Sequence, residues 1–435
     1  MQPQTRSFFN ILDYGANRES LDTHAIQATI DTCHQTGGGT VYVPAGQYVT
    51  GSISLKSNIT LFLDAGAVLL GSKNFGDYPI IEDRWEGKQQ KTYASLITGR
   101  NLQNIAVVGR GTIDGCGDFW WTPFREKKLK YARPRLISFT DCRNVLIEGL
   151  TLTNSPAWTI NPIRCENVTV DKVTIVNPPD SPNTDGINPD SCKYVHISNC
   201  HIDVGDDCIT IKSGTEHENP ANLAPCENIT ITNCTMAHGH GGVVIGSEMS
   251  GGVKNVVIAN CIFIGTDRGI RLKARRGRGG VVEDIRVSNI VMEKVLCPFV
   301  LNLFYSGDGN WESEALFDEE RYPVGKNTPC FQRIHFSHIT AREVELAAGF
   351  IKGLPEMPVK NVTFSDIFIS MAAEAQPGVP AMAPHVKPMR QAGFVAEHVQ
   401  GLRFHNVDIC NQRGKAFSLV DVTDLVTNSS EKGDS

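Results

Sequence analysis

The sequence predicts an all-β fold: a single-domain, right-handed parallel β-helix with an N-terminal capping helix. Three observations lead there. Forty glycines punctuate short apolar runs, one strand pattern recurs along most of the chain, and no helical periodicity separates the repeats. The pattern alternates apolar and polar positions, which makes each copy a strand with one buried face. It appears at Asn144-Val145-Leu146-Ile147, Asn167-Val168-Thr169-Val170, Tyr194-Val195-His196-Ile197, Asn228-Ile229-Thr230-Ile231, Asn255-Val256-Val257-Ile258 and Asp284-Ile285-Arg286-Val287. It continues at Arg333-Ile334-His335-Phe336, Asn361-Val362-Thr363-Phe364 and Gly401-Leu402-Arg403-Phe404. Steps of 23, 27, 34, 27 and 29 residues separate the first six copies. A propeller blade needs about 40 residues and four strands, and a barrel of alternating strands and helices needs helices between the strands.

Taken in order, Phe8 to Tyr14 reads as a first strand. Asp22 is placed to N-cap a helix running to about Cys33, with Ile26, Ile30 and Cys33 on one face. Such a helix would cover the open end of the first coil, where an unpaired edge invites aggregation. Gly37-Gly38-Gly39 ends it, and Thr40 to Gly46 begins the coils. Three insertions interrupt the repeat: the aromatic and basic Gly115–Arg135, with Trp120 and Trp121; the acidic Ser306–Pro329; and the Pro/Ala-rich Met371–Gly393. The two tryptophans suit either stacking on sugar rings or filling the base of their loop. Residues 1–425 read as one domain and 426–435 as a polar tail.

With 41% hydrophobic residues the chain has material for a large core. A net charge of -6 provides no global field for nucleic acid or membranes. Met1 to Leu12 holds no apolar stretch of signal-peptide length, so the expected location is cytoplasmic, or secreted if a leader has been removed. Thirteen cysteines are an odd, scattered set. Cys200, Cys234 and Cys261 share a register occupied later by Ile290, Ile339 and Ile367, so they are expected as small core hydrophobes. Asn-x-Thr at Asn58, Asn167, Asn228 and Asn361 mimics glycosylation acceptors, yet an Asn in the turn before each strand explains it.

The chemistry gathers between Ser181 and Lys273: Asn183-Thr184-Asp185-Gly186, Gly205-Asp206-Asp207, Gly239-His240-Gly241 and Arg271-Leu272-Lys273. Three carboxylates, an imidazole and two fixed cations suit acid/base cleavage of a bond in an anionic sugar chain. Cys200 to Cys234 and Asp206 to His240 are the same step of 34, so Asp206 and His240 are expected in register on neighbouring coils about 4.8 Å apart. Asp185 falls one coil earlier, Arg271 and Lys273 one later. Asp206 and Asp207 would point to opposite faces of a straight strand, so Gly205 must bend the chain. Crowded carboxylates are expected to raise at least one pKa. Each motif alone also reads as a β-turn; four in matched register are harder to dismiss. No calcium-loop pattern is present, and no metal or cofactor is expected. Arg275, Arg276 and Arg278 read either as a solvated run or as an extension of the positive track.

These four motifs resemble those of the polygalacturonases, glycoside hydrolase family 28, over roughly Phe8 to Phe404. The resemblance implies a pectin-lyase-like solenoid and an inverting hydrolase of pectin. By that similarity Asp206 is the general acid, Asp185 and Asp207 activate water, and His240 holds the acid's proton balance and geometry. Arg271 and Lys273 would bind the uronate carboxylate, Asn183 would support the first cluster, and Tyr305 corresponds to a substrate-contacting tyrosine. Gly205 stands where many members have Gln, and Leu272 where Ile is usual. The stretch Ile245 to Gly252 is similar to the bacterial exo-acting branch, and the first two insertions are placed to wall off one end of the groove. An endo-polygalacturonase, a rhamnogalacturonan hydrolase, a calcium-dependent lyase and a non-catalytic sugar-binding β-helix are the alternatives. The expected partner is a pectic oligo- or polysaccharide.

Overall fold

The computed structural model describes residues 8–307 and 318–428. Cα proximity divides the chain into two compact units, Met1–Asp206 and Asp207–Ser435. Each is a right-handed parallel β-helix built on the recurring strand.

In the first unit, parallel pairing stacks Val41, Leu61, Val107, Ile147, Val170 and Ile197 in one column. A second column runs Tyr48, Leu69, Ile113, Leu152, Ile175 and Ile202. Ile53, Ile97, Ile137 and Ile160 form a third. Four coils therefore send apolar side chains inward from all three faces. All of these are essentially fully buried, and each contributes roughly 1.5–3 kcal/mol of apolar burial. The turn before each strand uses Asn in the left-handed region, as at Asn58 (φ 65°), Asn144 (57°) and Asn167 (58°), which Asn tolerates better than branched residues. Their amides link coil to coil, with Asn104 Nδ2 donating to Asn58 at 2.9 Å, Asn144 to Asn104 at 2.8 Å and Asn167 to Asn144 at 2.8 Å. A repeat of this kind accounts for the Asn-x-Thr spacing.

The N-terminal elements differ in detail from expectation. Only Phe8–Asn10 is a strand; Ile11–Tyr14 is a 3₁₀ turn, started by the Asn10 side chain accepting from the Leu12 N–H at 3.0 Å. Helix α1 spans Thr23–Gln35 and buries Ile26, Ile30 and Cys33 completely, against the strands Phe8–Asn10, Gly39–Val43, Ile53–Ser54 and Ile59–Leu63. Asp22 stands at its N-cap but makes no capping bond; its carboxylate accepts from the Asn17 N–H at 2.9 Å. The first insertion contains a helix that periodicity did not reveal, α2, Asp118–Arg125. Trp120 is fully buried there, its ring 5.0 Å from those of Phe75, Tyr78 and Tyr93, and Trp121 is 7% exposed. Both tryptophans fill the base of the loop.

The second unit extends the same logic. Ile229, Val256, Ile285, Ile334, Val362 and Leu402 form one column. Cys261, Ile290, Ile339 and Ile367 form another, in the register predicted for that cysteine. Phe336, Phe364 and Phe404 stack at centroid distances of 4.9 and 5.3 Å. All thirteen cysteines are free. Val426–Asn428 pairs with the strand Ala392–Cys410, so the ladder continues into the stretch read as a tail. Residues 308–317 of the second insertion, and 429–435, lie outside the described residues. Among the described residues no helix is long and apolar enough to cross a membrane.

Candidate active site

Asn183, Asp185 and Asp206 belong to the first unit. Asn183 sits in the left-handed region (φ 54°) on a turn tied by the Ser181 and Thr184 hydroxyls, 2.5 Å apart. Its side-chain oxygen accepts from Arg133 Nη2 at 2.6 Å. Arg133 also donates to the carbonyls of Pro156 (2.9 Å) and Pro182 (2.7 Å), so its plane is fixed by three acceptors. Burial pulls its pKa down to about 10, while Glu86, Asp185 and Asp206 favour its charge. Asp185 is 4% exposed and accepts from Asn188 Nδ2 at 3.1 Å. Asp206 is half-buried.

Gly205 explains why the chain can turn into Asp206. A Cβ there would lie 2.6 Å from the Pro178 carbonyl oxygen and 2.7 Å from that of Ser181. Backbone fills the space that a side chain needs. Gly205→Ala is expected to destabilise the protein by about 1–3 kcal/mol, the usual cost of overpacking. Denaturant midpoints measure it, and an unchanged midpoint would mean that the Ser181 turn yields freely.

Asp207 opens the strand Asp207–Ile211 in the second unit and pairs with Gly241. Val244 then pairs with Arg271 and Gly246 with Lys273. Pairing of Asp207 with Gly241 is the register that the step of 34 predicts. Lys273 Nζ lies 2.9 Å from Asp207 Oδ2, and Arg271 Nη1 3.5 Å from Oδ1. Gly241 leaves this space open, since a Cβ there would stand 3.3 Å from Asp207 Oδ1. Tyr305 packs its ring 5.6 Å from the Arg271 guanidinium and 5.2 Å from Lys273 Nζ, and is 9% exposed.

The electrostatics of Asp207 favour its charged form. Burial pushes its pKa up, but Lys273 and Arg271 outweigh that and hold it down at about 2. Two cations within ion-pair reach of one carboxylate win over desolvation. Lys273 is raised by the same pairing, against its own burial.

His240 stands on the exposed edge, with its Nδ1 2.8 Å from Asp267 Oδ2. Asp267 is a site residue that sequence reasoning missed, as is Arg133. A signal existed for Asp267: it lies one 27-residue step beyond His240, the step that also links Asn228 to Asn255. For Arg133 there was none, because it arrives on an insertion. The solvated-run reading of Arg275, Arg276 and Arg278 does not hold. Arg275 and Arg278 share Glu216 at 2.9 and 2.6 Å, Arg276 meets Glu356 at 2.7 Å, and all three are 5–6% exposed.

The protein-family profile described as "Glycosyl hydrolases family 28" matches residues 33–374. A probable polygalacturonase of Vitis vinifera is 37% identical over 381 residues, covering 84% of this chain and 75% of its own. An endo-polygalacturonase of Pectobacterium carotovorum subsp. carotovorum is 31% identical, with coverages of 79% and 84%. Among solved structures, a hyperthermoactive exopolygalacturonase from Thermotoga maritima superposes with a TM-score of 0.80 at 30% identity, over 95% of this chain and 94% of that one. With the profile spanning most of the chain, this protein belongs to glycosyl hydrolase family 28 and is a glycoside hydrolase.

Proposed function

We propose that the protein hydrolyses α-1,4-galacturonosyl linkages of pectate or oligogalacturonides, with inversion, from the chain end, and without a metal or cofactor. The observation that carries the reading is the buried arrangement of Lys273 and Arg271 on Asp207, beside Tyr305. Two fixed cations with a planar guanidinium suit a uronate carboxylate, and the relatives in the preceding section are polygalacturonases.

The same arrangement supports different roles for the two adjacent aspartates. A carboxyl held at a pKa of about 2 stays ionised near neutrality, so Asp207 has no proton to donate. It suits activation of water together with Asp185. Half-buried Asp206 is then the acid, which must exchange its proton once per turnover. His240 supports that cycle, and Asn183, steadied by Arg133, supports the first cluster. On this reading α1 caps the N-terminal end of the β-helix.

Exo action is supported by the Thermotoga structure and by the stretch Ile245 to Gly252, where Glu248 is buried against Lys212 at 2.9 Å. Trp120 and Trp121, packed inside their loop, add nothing to it. Polygalacturonate digested to a few per cent is the test. Galacturonate and reducing ends are expected well before viscosity falls; an early viscosity drop with mixed oligomers would make the enzyme endo-acting. NMR of the same digest is expected to show the inverted β-anomer first, and absorbance growth near 235 nm, the mark of an unsaturated product, would replace hydrolysis with elimination.

A further inference from the structure

We propose that Asp267 and Arg268 are positioning residues for His240, and that the interruption around Val379–Pro380 is the strut that fixes them. The proposal rests on His240 belonging to the active site, as proposed above. An imidazole whose side chain is 55% exposed would ordinarily sample several rotamers and both neutral tautomers. The carboxylate beside Nδ1 removes that freedom. It selects the Nδ1–H form and leaves Nε2 as the acceptor, and it equally stabilises the ring when protonated.

Asp267 is itself held from several directions. Its N–H donates to the Gly239 carbonyl at 2.9 Å, and its carbonyl accepts from the Cys297 N–H at 3.1 Å. Arg268 Nη1 donates to the same Oδ2 that meets His240, at 3.2 Å. Arg268 is then clasped by main chain: Nε donates to the Pro380 carbonyl at 2.9 Å and Nη2 to that of Val379 at 2.7 Å. Both carbonyls belong to the Pro/Ala-rich stretch that the coil repeat does not need. That stretch is closed by two hydrogen bonds between Gly378 and Met389, at 3.0 and 2.7 Å. Next to Pro380, Ala381 is 1% exposed in a cluster with Cys297, Val300, Ala347 and Phe350. Apolar packing thus locks the two carbonyls, the carbonyls orient the guanidinium, and the guanidinium aims the carboxylate at the imidazole.

The experiment compares kcat, KM and the imidazole ¹⁵N spectrum of Asp267→Ala, Asp267→Asn, Arg268→Lys and His240→Ala. Main-chain bonds of residue 267 survive each change, so folding is expected to persist. Asp267→Ala should lower kcat about 10- to 100-fold, less than loss of a group that itself transfers the proton, with KM within about twofold. The His240 signal should lose its Nδ1–H pattern. Asp267→Asn, which still offers an acceptor, should fall between Asp267→Ala and wild type, and decides the matter if the alanine variant melts early. Arg268→Lys keeps the charge but loses the fork, and should show a smaller fall in kcat. Wild-type kcat and an unchanged tautomer in Asp267→Ala, with His240→Ala inactive, would overturn the positioning role and leave the site intact. A fully active His240→Ala would overturn the place of His240 in the site.

Discussion

Asp206→Asn is expected to lower kcat on polygalacturonate at least ~10²-fold, with KM and melting temperature close to wild type. The magnitude is the usual loss when a general acid is removed. The separation of activity from stability follows from burial: Asp206 is half-buried, whereas Asp207 is 2% exposed. Asn keeps the shape and the acceptor but cannot protonate a leaving oxygen. The decisive measurement is turnover on a defined oligogalacturonide, alongside a thermal melt. Near wild-type turnover on folded protein would remove Asp206 from the chemistry and return the Gly205-Asp206-Asp207 motif to a simple turn. A matched loss of activity and stability would instead mark Asp206 as structural.

Asp207→Asn should do both kinds of damage. Turnover falls because water loses its ionised partner. Stability falls because Lys273 and Arg271, both below 10% exposure, are left without their shared anion. Removing one partner of a buried pair typically costs roughly 3–5 kcal/mol. The wild-type protein should also show the pair in its acid unfolding. A folded pKa of about 2, below the ~3.9 of an unfolded Asp, stabilises the fold at every pH above the unfolded value. That contribution, on the order of 2 kcal/mol, is lost as pH falls from about 4 toward 2. The slope of unfolding free energy over that window should flatten in Asp207→Asn. An unaltered slope would mean that the cations do not hold this carboxylate ionised.

The repeat was legible because its physics is local. Period-two alternation at Val145, Val168, Ile229 or Val256 dictates one buried face, and steps of 23 to 34 residues stack these faces without reference to the rest of the chain. The same counting placed Asp207 opposite Gly241 and Cys261 opposite Ile290. Register is additive along a solenoid, so it survives being read in one dimension. Glycines were legible too, once the turn into Asp206 was seen to require a residue without a side chain.

What only the tertiary structure decided lies where insertions return to the coils or where charge meets burial. Nothing local tells Trp120 that Phe75, Tyr78 and Tyr93 will close around it, or Arg133 that Asn183 will be its acceptor. The sequence determined that Asp206 and Asp207 are adjacent carboxylates; that Asp207 is held ionised was set by the closeness of Lys273 and Arg271. Likewise Arg275, Arg276 and Arg278 read either as a solvated run or as an extension of the positive track, and only the structure pairs them with Glu216 and Glu356. Periodicity depends on neighbours along the chain, whereas a pKa or an ion pair depends on what lies within a few ångströms in space, and residues far apart in sequence supply that.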